Sequence, residues 1–189
     1  MNAHFHHAGC GCLQALRTGI ARRRVLGLGL GLGAAAVTAA AVPSAPAFAV
    51  EDQGYEAMLM KCIDPRFTTN TWAYMAARGW QNAYSQFNIA GGPIAAVAPA
   101  FQEWRAAWEA NLDISVQLHN VKRLIGMVHR DCGAAAVAYG DRLKTDRAYE
   151  TQMLTQALRA FRDQAKKRQP QLIVELGIMD LSGAVEPVS

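Results

Sequence analysis

Arg123-Leu124-Ile125-Gly126-Met127-Val128-His129-Arg130-Asp131-Cys132-Gly133-Ala134 decides how this chain is read. After Arg123 its opening run is apolar, the most strand-like stretch in the sequence. His129 and Cys132, two soft metal-ligand side chains, follow at once, and the residues from Ala134 to Tyr139 begin a helix. A strand passing through a short polar turn into a helix is half of a βαβ unit, and such sheets bind ligands beyond the carboxyl ends of their strands.

Working outward, residues 57–63 form a short apolar run ended by Asp64-Pro65, which reads as a buried strand. Thr68 or Thr69 can cap a following helix that places Trp72, Met75, Ala76 and Gly79 on one face. Residues 83–88 make a second strand closed by Gly91-Gly92-Pro93. Phe101, Trp104, Trp108 and Leu112 then fall in helical register, and that helical stretch continues to His119-Asn120. On the far side of the opening segment, Tyr149, Met153, Leu154, Ala157, Leu158, Phe161 and Ala165 mark a long amphipathic helix. Pro170 separates it from a last strand over residues 172–179, and Ser182-Gly183 turns the tail back. Strands alternating with helices predict an α/β fold: a mostly parallel central sheet of four to five strands flanked by helices. With the second strand outside the first, the first and third strands are neighbours, and Cys62 converges with His129 and Cys132. Two cysteines and a histidine suit tetrahedral Zn²⁺, and three protein ligands leave the fourth position of a catalytic site. Gly133 is expected to let the backbone turn closely there.

The amino-terminal quarter has a different character. Of 189 residues, 19 are basic and 15 acidic, giving a net charge of +4. Residues 1–49 hold four of the arginines, Arg17, Arg22, Arg23 and Arg24, and no acid, so residues 50–189 are balanced at fifteen of each sign. A neutral body without a basic stripe argues against nucleic acid as a partner. Arg22-Arg23 precedes an apolar run from Val25 to Val42, and Ala47-Phe48-Ala49 has the small-x-small form of a cleavage site. Residues 1–49 therefore read as a twin-arginine (Tat) signal peptide. Residues 50–189 are the single mature domain, periplasmic or secreted, with no stable membrane insertion after cleavage. The Gly-Ala-rich run and the following Pro43 and Pro46 favour a signal over an anchor. His4, His6, His7, Cys10 and Cys12 leave with the signal. That leaves Cys62 and Cys132 as the mature cysteines, with His119 and His129 beside them.

Cys62-Ile63-Asp64-Pro65-Arg66 resembles the Cys-x-Asp-x-Arg motif of β-class carbonic anhydrases, and His129-Arg130-Asp131-Cys132-Gly133-Ala134 resembles their His-x-x-Cys-Gly-Ala motif. Residues 113–125 and 175–183 are similar to the family's helix-then-strand approach and closing strand. The resemblance covers about residues 57 to 187. It implies a zinc-dependent enzyme that hydrates CO₂ to bicarbonate by zinc-bound hydroxide. Cys62, His129 and Cys132 would be the ligands, Asp64 and Arg66 a catalytic dyad, and a homodimer or higher homo-oligomer the assembly. In some members the aspartate is instead a fourth zinc ligand. Phe67, Trp72, Tyr84 and Phe87 are candidates for the pocket wall or subunit interface.

This sequence departs from the family at Pro65, over residues 86–92, which only partly match an Arg-Asn-Ala-Gly segment and lack its arginine, at Val128 in place of a glycine, and in a short amino-terminal arm. Alternatives stand beside the enzyme reading: hydrolysis of COS or CS₂ at the same site, or a zinc-binding module without turnover. Residue by residue, Cys62 and Cys132 could form a disulfide, and Asp64 and Arg66 a structural ion pair. His119 reads as a helix-end residue rather than a proton shuttle. The tryptophans Trp72, Trp80, Trp104 and Trp108 read as core or interface.

Overall fold

The computed structural model describes residues 54–189. The expected signal peptide over residues 1–49 and the expected start of the mature chain at Val50 lie outside the described residues.

Five strands form one sheet: β1 (Ala57–Lys61), β2 (Tyr84–Asn88), β3 (Arg123–His129), β4 (Ile173–Met179) and β5 (Val185–Val188). Their order is β2-β1-β3-β4-β5. The first four are parallel and β5 is antiparallel to β4, so the second strand does flank the first on the outside, and β1 and β3 are neighbours. Every residue of β1 is buried, as is β3 after Arg123. That is why both read as continuous apolar runs rather than alternating ones.

Helices cover both faces. On one face, Met58 and Met60 pack with Trp108 and Leu112 of α3 (Arg105–His119) and with Leu154, Leu158 and Phe161 of α5 (Arg147–Arg168). Gly126 permits this approach, because a Cβ there would stand 2.8 Å from the Phe161 ring. On the other face, Ala57, Leu59, Ile125 and Met127 pack against Phe67 and against Met75 of α1 (Thr68–Ala77). The two remaining helices, α2 (Pro93–Val97) and α4 (Gly133–Tyr139), are short. Among the described residues no helix is long and apolar enough to cross a membrane.

Three expectations change. The buried stripe of α1 is Thr71 and Met75, and Trp72 is 50% exposed. A 3-10 turn over Pro65–Phe67 sets the phase of that helix, and the Thr71 hydroxyl donates to the Phe67 carbonyl at 2.7 Å. Phe101 and Trp104 do not share a helix with Trp108. They belong to a 3-10 segment, Pro99–Trp104, stacked on each other at 4.7 Å, and α3 begins at Arg105. Finally, α2 was not anticipated. Its Pro93, Ile94, Ala95 and Ala96 are all buried, so the segment carries no amphipathic period to read.

Candidate metal centre

Cys62 follows the last residue of β1, and His129 ends β3. Cys132 is the N-cap position of α4, reached through Asp131, whose φ is 57°. The tight turn is therefore made at Asp131. Gly133 does not have a positive φ, and a Cβ there would meet nothing within 4 Å, so the close turn expected of it is not its role. One ligand atom from each of Cys62, His129 and Cys132 lies within 4.8 Å of the other two, and all three residues are buried. Both cysteines are free thiols, so the disulfide alternative is not realised.

His129 is prepared as a ligand. Its Nδ1 sits 2.8 Å from the Arg130 carbonyl, which can only accept, so Nδ1 carries the proton. Nε2 is left with its lone pair, buried and without a hydrogen-bond partner. Fixing the tautomer through the far ring nitrogen is how metal-ligating histidines are oriented. Phe67 stacks on the imidazole with centroids 4.1 Å apart and is 2% exposed. It walls the site from within its own chain, and so is unavailable as a subunit-interface residue.

The sulfurs share one negative charge unevenly. Its hydrogen bond with Cys132 holds the Cys62 thiol well below the usual range; the Gly91 and Asp64 amides add to this against burial. Cys132, facing that thiolate and itself buried, is pushed up. A soft cation between them would stabilise the second thiolate, and at about 2.0 to 2.3 Å from N and S ligands zinc suits this donor set.

Asp64 and Arg66 stand at the rim. Arg66 Nε and Nη2 approach Asp64 Oδ2 at 3.2 and 2.8 Å, and the Arg66 amide donates to Oδ1 at 3.0 Å. The guanidinium beside it lowers the carboxyl to about 2, so Asp64 is ionised at neutral pH. Asp64 Oδ2 lies 3.9 Å from His129 Nε2, next to the three ligand atoms but not among them.

Several functional contacts were not anticipated. Arg66 also donates from Nη1 to Asp131 Oδ2 at 2.8 Å and from Nη2 to the Asp131 carbonyl at 3.1 Å, tying the two motif loops together. Glu150, 4% exposed, accepts from the Asp131 amide at 2.8 Å and from Arg130 at 3.2 Å, holding the second loop from α5. Gly91 donates its amide to Cys62 Sγ at 3.2 Å. Gly92, at φ 54°, passes so close to β1 that a Cβ would stand 2.7 Å from the Lys61 carbonyl carbon. The Gly-Gly pair after the second strand was the available signal, though it reads from sequence only as a turn. Lys61 is buried beside Cys62; burial pushes its ammonium down, and the neighbouring charges of Cys62 and Asp64 oppose this.

The other singled-out residues lie elsewhere. His119 ends α3, and its carbonyl accepts from the Tyr55 amide at 2.9 Å, ahead of β1 and at the amino ends of the strands, opposite the metal-ligand group. That position matches a helix-end residue. Trp108 is core, while Trp80 lies under the Arg78 guanidinium at 4.0 Å. Phe87 and Trp104 pack against the core from partly buried positions.

A buried Cys-His-Cys group at the carboxyl ends of adjacent parallel strands defines an α/β protein able to hold a metal ion. Comparison with solved structures gives the fold its name. The carbonic anhydrase of Streptococcus mutans superposes with a TM-score of 0.50 at 20% identity, covering 72% of this chain and 82% of that one. The β-carbonic anhydrase CafA of Aspergillus fumigatus gives 0.47 at 17% identity, over 72% and 76% of the two chains. The fold is that of β-carbonic anhydrases. No family model matches the sequence. An uncharacterized protein of Rickettsia conorii is 28% identical over 131 residues, 69% of this chain and 70% of that one.

Proposed function

We propose that this protein is an exported, zinc-dependent carbonic anhydrase that interconverts CO₂ and bicarbonate. The observation that carries the reading is the combination of three buried soft ligand atoms with a neighbouring carboxylate clamped by an arginine. Zinc held by Cys62, His129 and Cys132 would supply a Lewis acid able to make water nucleophilic at neutral pH.

The chain's own groups do the rest. The Arg130 carbonyl keeps the His129 proton on Nδ1 and leaves Nε2 for the ion. Asp64, ionised and 3.9 Å from that nitrogen, can only accept. It takes a hydrogen bond from the attacking water and fixes the direction of its lone pair. Arg66 opposes ligation by Asp64, because swinging the carboxylate onto the ion would break the contacts of Nε and Nη2. Asp131 in turn anchors Arg66. Phe67 keeps water from one face of the imidazole.

A metal-holding module without turnover draws support from the altered loops at Pro65 and Phe87, of which Phe87 packs against the core from a partly buried position. Hydrolysis of COS or CS₂ would use the same groups. Stopped-flow rates for CO₂, COS and CS₂ on zinc-replete mature protein separate the three. The proposal expects CO₂ to be the fastest substrate; a dominant COS or CS₂ rate would reassign it, and no rate with full zinc would leave the module.

A further inference from the structure

Lys61 is the one charged residue in β1, and only 6% of it is exposed. Its position along the sheet is fixed by pairing with Asn88 on one side and Met127 on the other. The Nζ makes a single long hydrogen bond, 3.4 Å to the Cys62 carbonyl. Among the described residues no carboxylate forms an ion pair with it, and the nearby Asp64 is already occupied by Arg66. Cys62 and Asp64 charges lie nearby, but an ammonium buried without a directly paired carboxylate is costly, and buried charges are ordinarily paired.

The side chain opens onto a groove of about 370 Å³ on the α1 face of the sheet, beside the β2 edge. Parallel register puts Tyr84, Gln86 and Asn88 on the same face as Ala57, Leu59 and Lys61. They form one wall of the groove, and Trp72 and Ile63, 50% and 60% exposed, form its apolar part. No aspartate or glutamate lines it. One cation, two side-chain amides and an apolar rim in a space of this size match a small molecule with a single negative end.

We propose that this groove binds a small organic monocarboxylate, its carboxylate on the Lys61 ammonium and the amides of Gln86 and Asn88, its apolar part against Trp72 and Ile63. The site goes beyond the carbonic anhydrase reading and stands whether or not the metal centre turns over. The carboxylate completes the missing ion pair. Bidentate acceptance from ammonium and amide gives orientation, while the aromatic and aliphatic surface selects against bare inorganic anions.

The test is a titration of the zinc-replete mature protein with benzoate, followed by the side-chain amide resonances of Gln86 and Asn88 and by Trp72 fluorescence. Acetate and benzyl alcohol serve as probes lacking the ring and the charge. Saturable benzoate shifts at Gln86 and Asn88 are expected, at least tenfold weaker with acetate and absent with benzyl alcohol. Lys61→Met should weaken benzoate tenfold or more, Lys61→Arg should keep most of it, and both should retain one zinc per chain. Gln86→Ala, at an exposed position, provides a second variant that leaves the core untouched, and should weaken benzoate severalfold. Equal affinity in Lys61→Met or in Gln86→Ala would overturn the proposal. So would shifts confined to residues around Cys62, His129 and Cys132, which would place the anion on the metal, or no saturable change at all.

Discussion

Arg66 donates to Asp131 Oδ2 at 2.8 Å across 65 positions of chain, while Nη2 of the same guanidinium grips Asp64 at 2.8 Å. One side chain thus ties the loop after β1 to the loop after β3. Both loops contribute ligand atoms to the same group of three, so the arginine fixes the relative position of those loops as well as the charge of the carboxylate. Arg66 is itself largely solvent-facing, and a surface ion pair alone would contribute little to stability. Its importance lies in position.

Arg66→Ala should therefore keep its zinc, having lost no ligand, yet lose about 10²- to 10⁴-fold in CO₂ hydration. Asp64→Asn should behave alike. The pH dependence has a definite sign. A carboxyl lowered to about 2 in the folded protein stabilises it fully above its ordinary value, and that contribution is lost as pH falls towards 2. The stability gap between wild type and Arg66→Ala should be widest above about pH 4 and close on further acidification. Stopped-flow assay, metal analysis and denaturation across pH check the three statements. Wild-type rates in both variants would reduce the pair to structure.

Gly92→Ala tests the cradle beneath Cys62. The added Cβ would meet the Lys61 carbonyl carbon at 2.7 Å, in a backbone conformation with φ 54° that side chains disfavour. The backbone must shift and carry the Gly91 amide off Cys62 Sγ. A loss of about 1–3 kcal/mol in stability is expected, together with weaker zinc retention under chelator challenge. A variant that melts like wild type and holds zinc as tightly would show that the close approach is not needed.

Much of this was legible beforehand, for reasons that differ by residue. The strands around Cys62 and His129 are buried on both faces, so their apolar runs showed in the sequence, and the two motifs converge on the condition, met here, that the second strand lies outside the first. Cys62, His129 and Cys132 fall at strand ends, where the βα pattern directs attention, while Asp64 and Arg66 were legible only through the resemblance of their motif to that of β-class carbonic anhydrases. What stayed hidden depends on side-chain contacts across long separations. Nothing local in Glu150 marks it as the holder of the Asp131 amide from α5. Nothing in Gly91-Gly92 distinguishes a turn from a cradle for a sulfur. The phase of α1 was misread because a 3-10 turn precedes it, shifting the buried stripe from Trp72 to Thr71.

Association should cover the exposed side of α3, which packs on the sheet face opposite α1. On α3, which contacts β2 through the Ser115–Ser85 hydrogen bond at 3.1 Å, Ile114 and Leu118 are 49% and 70% exposed at helical spacing. We propose a homodimer or larger assembly that covers them. Light scattering at micromolar concentration should give at least twice the chain mass, and Leu118→Lys should shift it towards monomer. A monomeric wild type that hydrates CO₂ would exclude the assembly as a requirement.

Export is the expectation for residues 1–49. Arg22→Lys with Arg23→Lys should leave unprocessed precursor inside the cell, since the twin arginine is the address that the translocation route reads. Unchanged processing at Ala49 in that double variant would reject the twin-arginine assignment.

The central claim is that Cys62, His129 and Cys132 hold a zinc ion that hydrates CO₂ with Asp64 standing by. It is tested most directly by measuring zinc content and stopped-flow CO₂ hydration on one anaerobically purified sample of the mature chain. Prediction: one zinc per chain and rapid hydration, both lost in His129→Ala. A Cys62–Cys132 disulfide without stoichiometric zinc, or full zinc without CO₂ hydration, would contradict it.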